Sequence, residues 1–242
     1  MKTLYCHGLP GGTSDFTIAG LSVGNHPEVM PPIGDSTAPP LPGKERVRLL
    51  AFSLGAYSAL TLASVHPNRV CELVLISPAA PLELGDFLSD MAGAPVFRAA
   101  KGSRSRLAWL TRLQSAALAM APDMTAKALF ANATPAERAL MAVPENRTAL
   151  FDGLRQSYGS NRDAYLATLR AYVRPWSDRL DGVTATVRIL HGTADGWVPP
   201  TMAEVLAFKL GTHVEWQEGL GHYGTLRAAL PAIVGSKPSP AR

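Results

Sequence analysis

The chain has 242 residues, 47% of them apolar and 17% charged, with a formal net charge of +4. That length suits one well-buried core with room for an insertion, and excludes several large domains. The mild positive charge is not accompanied by a nucleic-acid motif, and no apolar run reaches membrane-spanning length, so neither nucleic-acid binding nor stable membrane insertion is expected.

In chain order, short apolar runs alternate with helical patterns at both ends. Strands are predicted at Lys2–Cys6, Glu28–Pro32, Val47–Phe52, Cys71–Ile76, Thr186–Leu190 and His213–Gln217. Helices are predicted at Ser14–Ser22, Leu54–His66, Pro200–Leu210 and Tyr223–Val234. Such alternation suggests βα units and a mainly parallel sheet of about six strands. Pro31 and Pro32 place the second strand at an edge, because proline cannot donate to a ladder. The Pro-rich stretches Pro31–Pro42 and Pro238–Pro240 read as loop and tail. Cys6 and Cys71 lie inside apolar strands and read as buried thiols rather than a disulfide.

The middle of the chain is different. From Pro81 to Leu180 the β-branched runs vanish and Ala, Leu, Met and Arg dominate. Arg104 to Met120 has helical composition, and Pro122, Pro135 and Pro144 punctuate the residues after it. The organisation predicted is a core made of residues 1–80 and 181–242, with a helical cap inserted at 81–180. Arg98, Lys101, Arg104, Arg106 and Arg112 carry like charge without an acidic residue between them, and read as a solvated face over an anion-attracting one. Trp109, Met120, Phe130, Tyr158 and Tyr165 are candidates either for a pocket under the cap or for the cap core.

Three segments carry candidate chemistry, each placed where a predicted strand ends. Ala51-Phe52-Ser53-Leu54-Gly55 joins a strand to a helix, where a strained turn would lift the Ser53 hydroxyl above the sheet. His191 to Pro199 contains Asp195, followed by glycine; Gly221-His222-Tyr223-Gly224 follows the last strand. A serine, a carboxylate and an imidazole supply a nucleophile, an orienting acid and a general base. Read singly, Ser53 could cap a helix, Asp195 could be a turn residue and His222 a surface loop residue. The six histidines lack a metal-ligand spacing such as H-E-x-x-H, and neither G-x-G-x-x-G nor a Walker lysine is present. No metal and no cofactor are therefore expected.

The order Ser53, Asp195, His222, with these motifs, resembles the α/β-hydrolase superfamily over nearly the whole chain. Ala51 stands where the G-x-S-x-G pattern has its first glycine. The resemblance implies a three-layer α/β-hydrolase fold with the cap in its usual place. His7-Gly8-Leu9-Pro10-Gly11-Gly12 is similar to the superfamily's oxyanion loop, which implies that the backbone N–H groups of Leu9 and Leu54 form the oxyanion hole. The usual antiparallel strand pair before that loop is missing, so a trimmed sheet is expected. Because the N-terminus runs straight into the loop, a cleavable signal would remove part of it, and a cytoplasmic location is expected.

The implied activity is that of a serine hydrolase cleaving a carboxylic ester of a small or medium-sized molecule through an acyl-enzyme. Thioesters, amides, peptides and certain carbon–carbon bonds are cleaved on the same scaffold, and a non-catalytic binding protein of this fold is the alternative of another class. Dehalogenases and epoxide hydrolases of this fold use an aspartate nucleophile, which Ser53 argues against. The oligomeric state is not set by anything in the sequence.

Overall fold

The computed structural model of the protein describes residues 1–21, 24, 26–34 and 38–236. Ser22 and the expected Pro238–Pro240 tail lie outside the described residues. Chain order runs β1 (Lys2–Cys6), α1 (Ser14–Ala19), β2 (Glu28–Val29), β3 (Val47–Phe52), α2 (Gly55–Val65) and β4 (Val70–Ile76). Helices α3 (Ala94–Gly102), α4 (Arg104–Met120), α5 (Pro122–Leu129), α6 (Pro135–Ala142), α7 (Pro144–Tyr158) and α8 (Arg162–Tyr172) come next. The chain then returns through β5 (Thr186–Gly192), α9 (Pro200–Lys209), β6 (Val214–Gln217) and α10 (His222–Gly235).

The six strands form one parallel sheet in the order β2-β1-β3-β4-β5-β6. Every residue of β3 is buried, as a central parallel strand covered on both faces must be. Within it Arg48 stays satisfied because its Nη2 donates to the Ile233 carbonyl and its Nε to Thr3 Oγ1. The predicted second strand is shorter than expected. Met30 N–H still donates to the Tyr5 carbonyl at 2.8 Å, but Pro31 and Pro32 cannot continue the ladder. Helix α1 also ends early, at Gly20, whose φ of 81° closes it through bonds from Gly20 N–H to Thr17 and Leu21 N–H to Phe16. Cys6 and Cys71 are both free; Cys6 is buried, whereas Cys71 is only half-buried near the start of β4, contrary to expectation.

Between β4 and β5 the structure is helical. Pro122, Pro135 and Pro144 each occupy the first residue of their helix, where the missing N–H costs nothing. Ser103 Oγ and Thr134 Oγ1 cap α4 and α6 by accepting from Arg106 N–H and Glu137 N–H, each at 3.1 Å. The five basic residues from Arg98 to Arg112 are all exposed, in keeping with a solvated face.

A parallel sheet brings the carboxyl ends of its strands to one edge, and the crevice outside those ends is where such folds bind ligands. The segments after β1, β3, β5 and β6 all open there. The turn after β3 is held most tightly. Ser53 has φ of 55°, a region costly for a residue other than glycine. Its N–H donates to the Ile76 carbonyl at 3.0 Å, while its own carbonyl accepts from Ala56 and Ala79 N–H at 3.1 and 3.2 Å. Just beyond it, Gly55 passes so near β1 that a Cβ would overlap the carbonyl oxygens of Cys6 and His7. Gly55→Ala should therefore cost more than about 2 kcal/mol, because backbone on both sides must move. Urea unfolding checks this; stability equal to wild type would mean that the turn relaxes freely.

Candidate active site

His222 is not in a surface loop. It is the first residue of α10 and is 2% exposed. Its Nδ1 lies 2.7 Å from Asp195 Oδ2. A carboxylate can only accept, so this bond fixes the proton on Nδ1 and leaves the lone pair on Nε2. Asp195 is held by a turn in which its Oδ1 accepts from Trp197 N–H at 2.9 Å and Val198 N–H at 3.0 Å. Burial alone would raise the Asp195 carboxyl, but the charge and hydrogen bond of His222, with help from His191 and Val198 N–H, hold it below the ordinary range.

His191 is fully buried, and its Nε2 donates to the Val198 carbonyl at 3.1 Å, 3.6 Å from Asp195 Oδ2. Burial lowers its proton affinity, so it faces Asp195 as a neutral group. The link from this pair to Ser53 runs through the neighbouring ring: Phe52 packs on His222 with centroids 4.6 Å apart. Ser53, Leu9 and Leu54 line one cavity of about 390 Å³, together with Trp197. Trp197 in turn lies nearly parallel to the His222 ring, 5.9 Å away at 17°. Thus the residues singled out in the sequence, from four separate segments, converge on the carboxyl edge of the sheet.

The family model described as the alpha/beta hydrolase family matches residues 3–231. The chain belongs to the alpha/beta hydrolase family. Among solved structures, a hydrolase from Pseudomonas aeruginosa PA01 is similar with a TM-score of 0.59 and 19% identity, over 96% of this chain and 86% of that one. MenH from S. aureus gives a TM-score of 0.57 at 13% identity, over 97% and 90%. The enol-lactonase from Burkholderia xenovorans LB400 gives 0.54 at 15%, over 96% and 87%. At such identities these likenesses speak for the fold. No curated protein matches the chain.

Of the aromatic candidates, Tyr158 and Tyr165 line the cavity of this hydrolase. Phe130 is buried against Trp197 and Tyr223 and faces a second, more open cavity of about 610 Å³. Trp109 and Met120 are 63% and 85% exposed and wall neither. They sit on the outer side of α4, which the composition of that helix does not distinguish from the inner one. Among the described residues, no helix is long and apolar enough to cross a membrane, and no cluster of three or more His, Cys, Asp or Glu could hold a metal ion.

Two buried carboxylates beside the site escaped sequence reasoning. Thr134-Pro135-Ala136-Glu137 has the spacing of a capping box, in which Glu137 would bond back to the N-cap residue. Its carboxylate instead crosses to α10, where Oε1 accepts from Tyr223 N–H at 2.7 Å and Oε2 lies against Gly221. Burial and Asp195 raise the Glu137 carboxyl, while His222 and the Tyr223 N–H oppose that rise. The second is Asp15. Its Oδ2 accepts from Tyr5 hydroxyl at 2.9 Å and from Gly8 N–H at 3.3 Å, which ties the loop after β1 to α1. The local T-x-x-E spacing could have drawn attention to Glu137, but its partner lies 86 residues away.

Glu137→Ala leaves a buried N–H of α10 without its acceptor and should cost about 1–3 kcal/mol. Glu137→Gln, which keeps an acceptor oxygen, should lose less than half of that in the same denaturant titration. For Asp15, burial pushes the carboxyl up to about 7, against the pull of Tyr5, Gly8 N–H and His222. Unfolded aspartate titrates near ~3.9. The folded state therefore keeps a proton that the unfolded chain has lost between those values. The stability contributed by Asp15 is full below its unfolded value and is lost as pH rises through about 7. The melting temperature of wild type relative to Asp15→Asn should fall across that window, and a difference independent of pH would contradict the reading.

Proposed function

We propose that the protein is a serine hydrolase that cleaves a carboxylic ester through an acyl-enzyme. Its membership of the alpha/beta hydrolase family makes it a hydrolase; the serine mechanism and the ester are the further step. The observation that carries the reading is the buried 2.7 Å bond between His222 and Asp195, one ring away from a serine held at φ of 55°. That bond presets the His222 tautomer so that Nε2 can take a proton.

In this reading Ser53 Oγ attacks the ester carbonyl as its proton passes to His222 Nε2. The imidazolium formed is stabilised by Asp195, which stays ionised because three donors hold its charge. The oxyanion of the tetrahedral intermediate is met by the N–H groups of Leu9 and Leu54, both of which border the cavity with Ser53. His222 then returns the proton to the leaving alkoxide. Water, activated by the same imidazole, releases the acid. The segment 81–180 serves as a cap: it furnishes the wall opposite the sheet, so the shape of the bound acyl or alcohol group is read there.

A fluorophosphonate probe tests the mechanism, since only an activated serine labels. Wild type should label at Ser53 and hydrolyse p-nitrophenyl esters. Ser53→Ala should neither label nor turn over, with a loss on the order of 10³-fold or more while the fold is kept. Asp195→Asn should cost on the order of 10³–10⁴-fold in kcat, because an amide favours the wrong tautomer of His222. A chain that does not label and hydrolyses no ester would instead be a binding protein on this fold.

A further inference from the structure

The outer side of α4 is apolar where a solvated helix is polar. Trp109, Leu113, Ala116 and Met120 follow one another at steps of four, three and four, and all four are exposed. At about 100° per residue these positions share one stripe. It lies opposite the buried face formed by Leu107, Thr111 and Leu118. Met124, in the first turn of α5, is exposed as well. Among the described residues nine large apolar side chains are exposed, and four of them are Trp109, Leu113, Met120 and Met124. Such a cluster is not the scatter of single apolar residues that any surface carries, and marks an interaction site.

The charge around the stripe is of one sign. Arg106 and Arg112 lie three residues before and three after Trp109, which places one on either side of the stripe. Arg104 opens the same helix, and Arg98 and Lys101 stand on α3, which packs against α4. No acidic residue occurs from Met91 to Pro122, and the next one, Asp123, is paired with Arg147. A stripe of Trp, Leu and Met with arginine on both flanks suits a helix lying in the plane of a membrane surface. Its apolar side chains enter the acyl boundary, while the long basic ones keep their heads among the lipid phosphates. Charge and apolarity together select the occupant. A second copy of this chain, meeting the stripe face to face, would set arginines against arginines. A nucleic acid would satisfy the arginines but leave Leu113 and Met120 in water. An anionic bilayer meets both.

We propose that the outer face of α4 docks the protein reversibly on an anionic lipid surface, with Trp109, Leu113 and Met120 in the interface and Arg106 and Arg112 on lipid phosphates. Among the described residues no helix is long and apolar enough to cross a membrane, so the association is peripheral. The stripe is separate from the catalytic groups, and docking does not depend on the chemistry at Ser53. It does bear on the cavity. Other residues of α4, Gln114 and Ala117, wall that space together with Thr125, Ala128 and Leu129 of α5. A docked α4 therefore leaves the cavity about one helix diameter, roughly 10 Å, from the lipid.

The test mixes the full-length protein with sucrose-loaded vesicles of phosphatidylcholine, alone or with roughly a third phosphatidylserine, and reads the bound fraction by sedimentation. Wild type should partition on the order of tenfold more strongly onto the anionic vesicles, and added salt should weaken that binding. Trp109→Ser with Met120→Ser removes the stripe; Arg106→Glu with Arg112→Glu reverses its flanks. Each pair should lose on the order of tenfold or more in partitioning while melting as wild type does. A gentler variant, Trp109→Phe, keeps an apolar ring and should still bind. Quenching of tryptophan fluorescence by bromine-labelled lipid should be clear in wild type and smaller in that variant. Wild type that stays in the supernatant with anionic vesicles would overturn the proposal. So would binding that both folded double variants retain, or equal quenching in wild type and Trp109→Phe. A protein that ignores vesicles would assign the face elsewhere if it retards an oligonucleotide through Arg106 and Arg112, or self-associates through Trp109 and Met120 in ultracentrifugation. Either result would also overturn lipid docking.

Discussion

The site depends first on a steric fact at Gly55. The first turn of α2 crosses the end of β1 so closely that a methyl group there would meet the carbonyl oxygens of Cys6 and His7. That approach brings the loop bearing Leu9 beside the turn bearing Ser53 and Leu54. It also obliges the chain to turn from strand to helix within two residues, which is why Ser53 takes a left-handed backbone conformation. Three backbone hydrogen bonds to Ile76, Ala56 and Ala79 hold it there. Since β4 supplies one of these partners directly and the turn after it another, the conformation is set by the sheet and not by the pentapeptide.

Around this turn the protein uses three buried carboxylates in three ways, and environment alone separates them. Asp195 receives two backbone N–H groups and an imidazole, so its charge is stabilised despite burial. Asp15 has a phenol and a more distant N–H, and burial wins. Glu137 has one short bond to Tyr223 N–H and an Oε2 without a partner among the described residues, so burial wins there too. Counting donors against desolvation gives the direction in each case.

The helical stretch between β4 and β5 contributes twice. Glu137 on α6 takes the free N–H of Tyr223 at the start of α10, and so steadies the helix that begins with His222. Helices α4 and α8 contribute Gln114, Tyr165 and Leu169 to the wall of the cavity. The segments that follow the strands border the same cavity with Leu9, Ser53, Leu54 and Trp197. The exposed arginines of α3 and α4 take no part in it.

Much of the fold was legible because its signals are local. An apolar run bounded by turn residues is a buried parallel strand wherever it sits, and β1 and β3 have the limits that their sequence predicts. Pro122, Pro135 and Pro144 were visible as punctuation, and the structure shows each at the first position of a helix, α5, α6 and α7. The segments of Ser53, Asp195 and His222 could be found because each chemistry-bearing residue comes after a strand, and parallel strands carry their ends to one edge. What the sequence could not decide is which side of a helix faces inward, or what a buried side chain meets. Trp109 and Gln114 both lie on α4, five residues apart, yet the tryptophan is exposed and the glutamine lines the cavity. Cys71 looked buried until its place on β4 was fixed. Asp15 and Glu137 carry no local mark of their burial, because burial is a sum over neighbours drawn from the whole chain. Periodicity and turn chemistry are written within a few residues and can be read there; desolvation and long-range hydrogen bonds exist only after the chain has closed on itself.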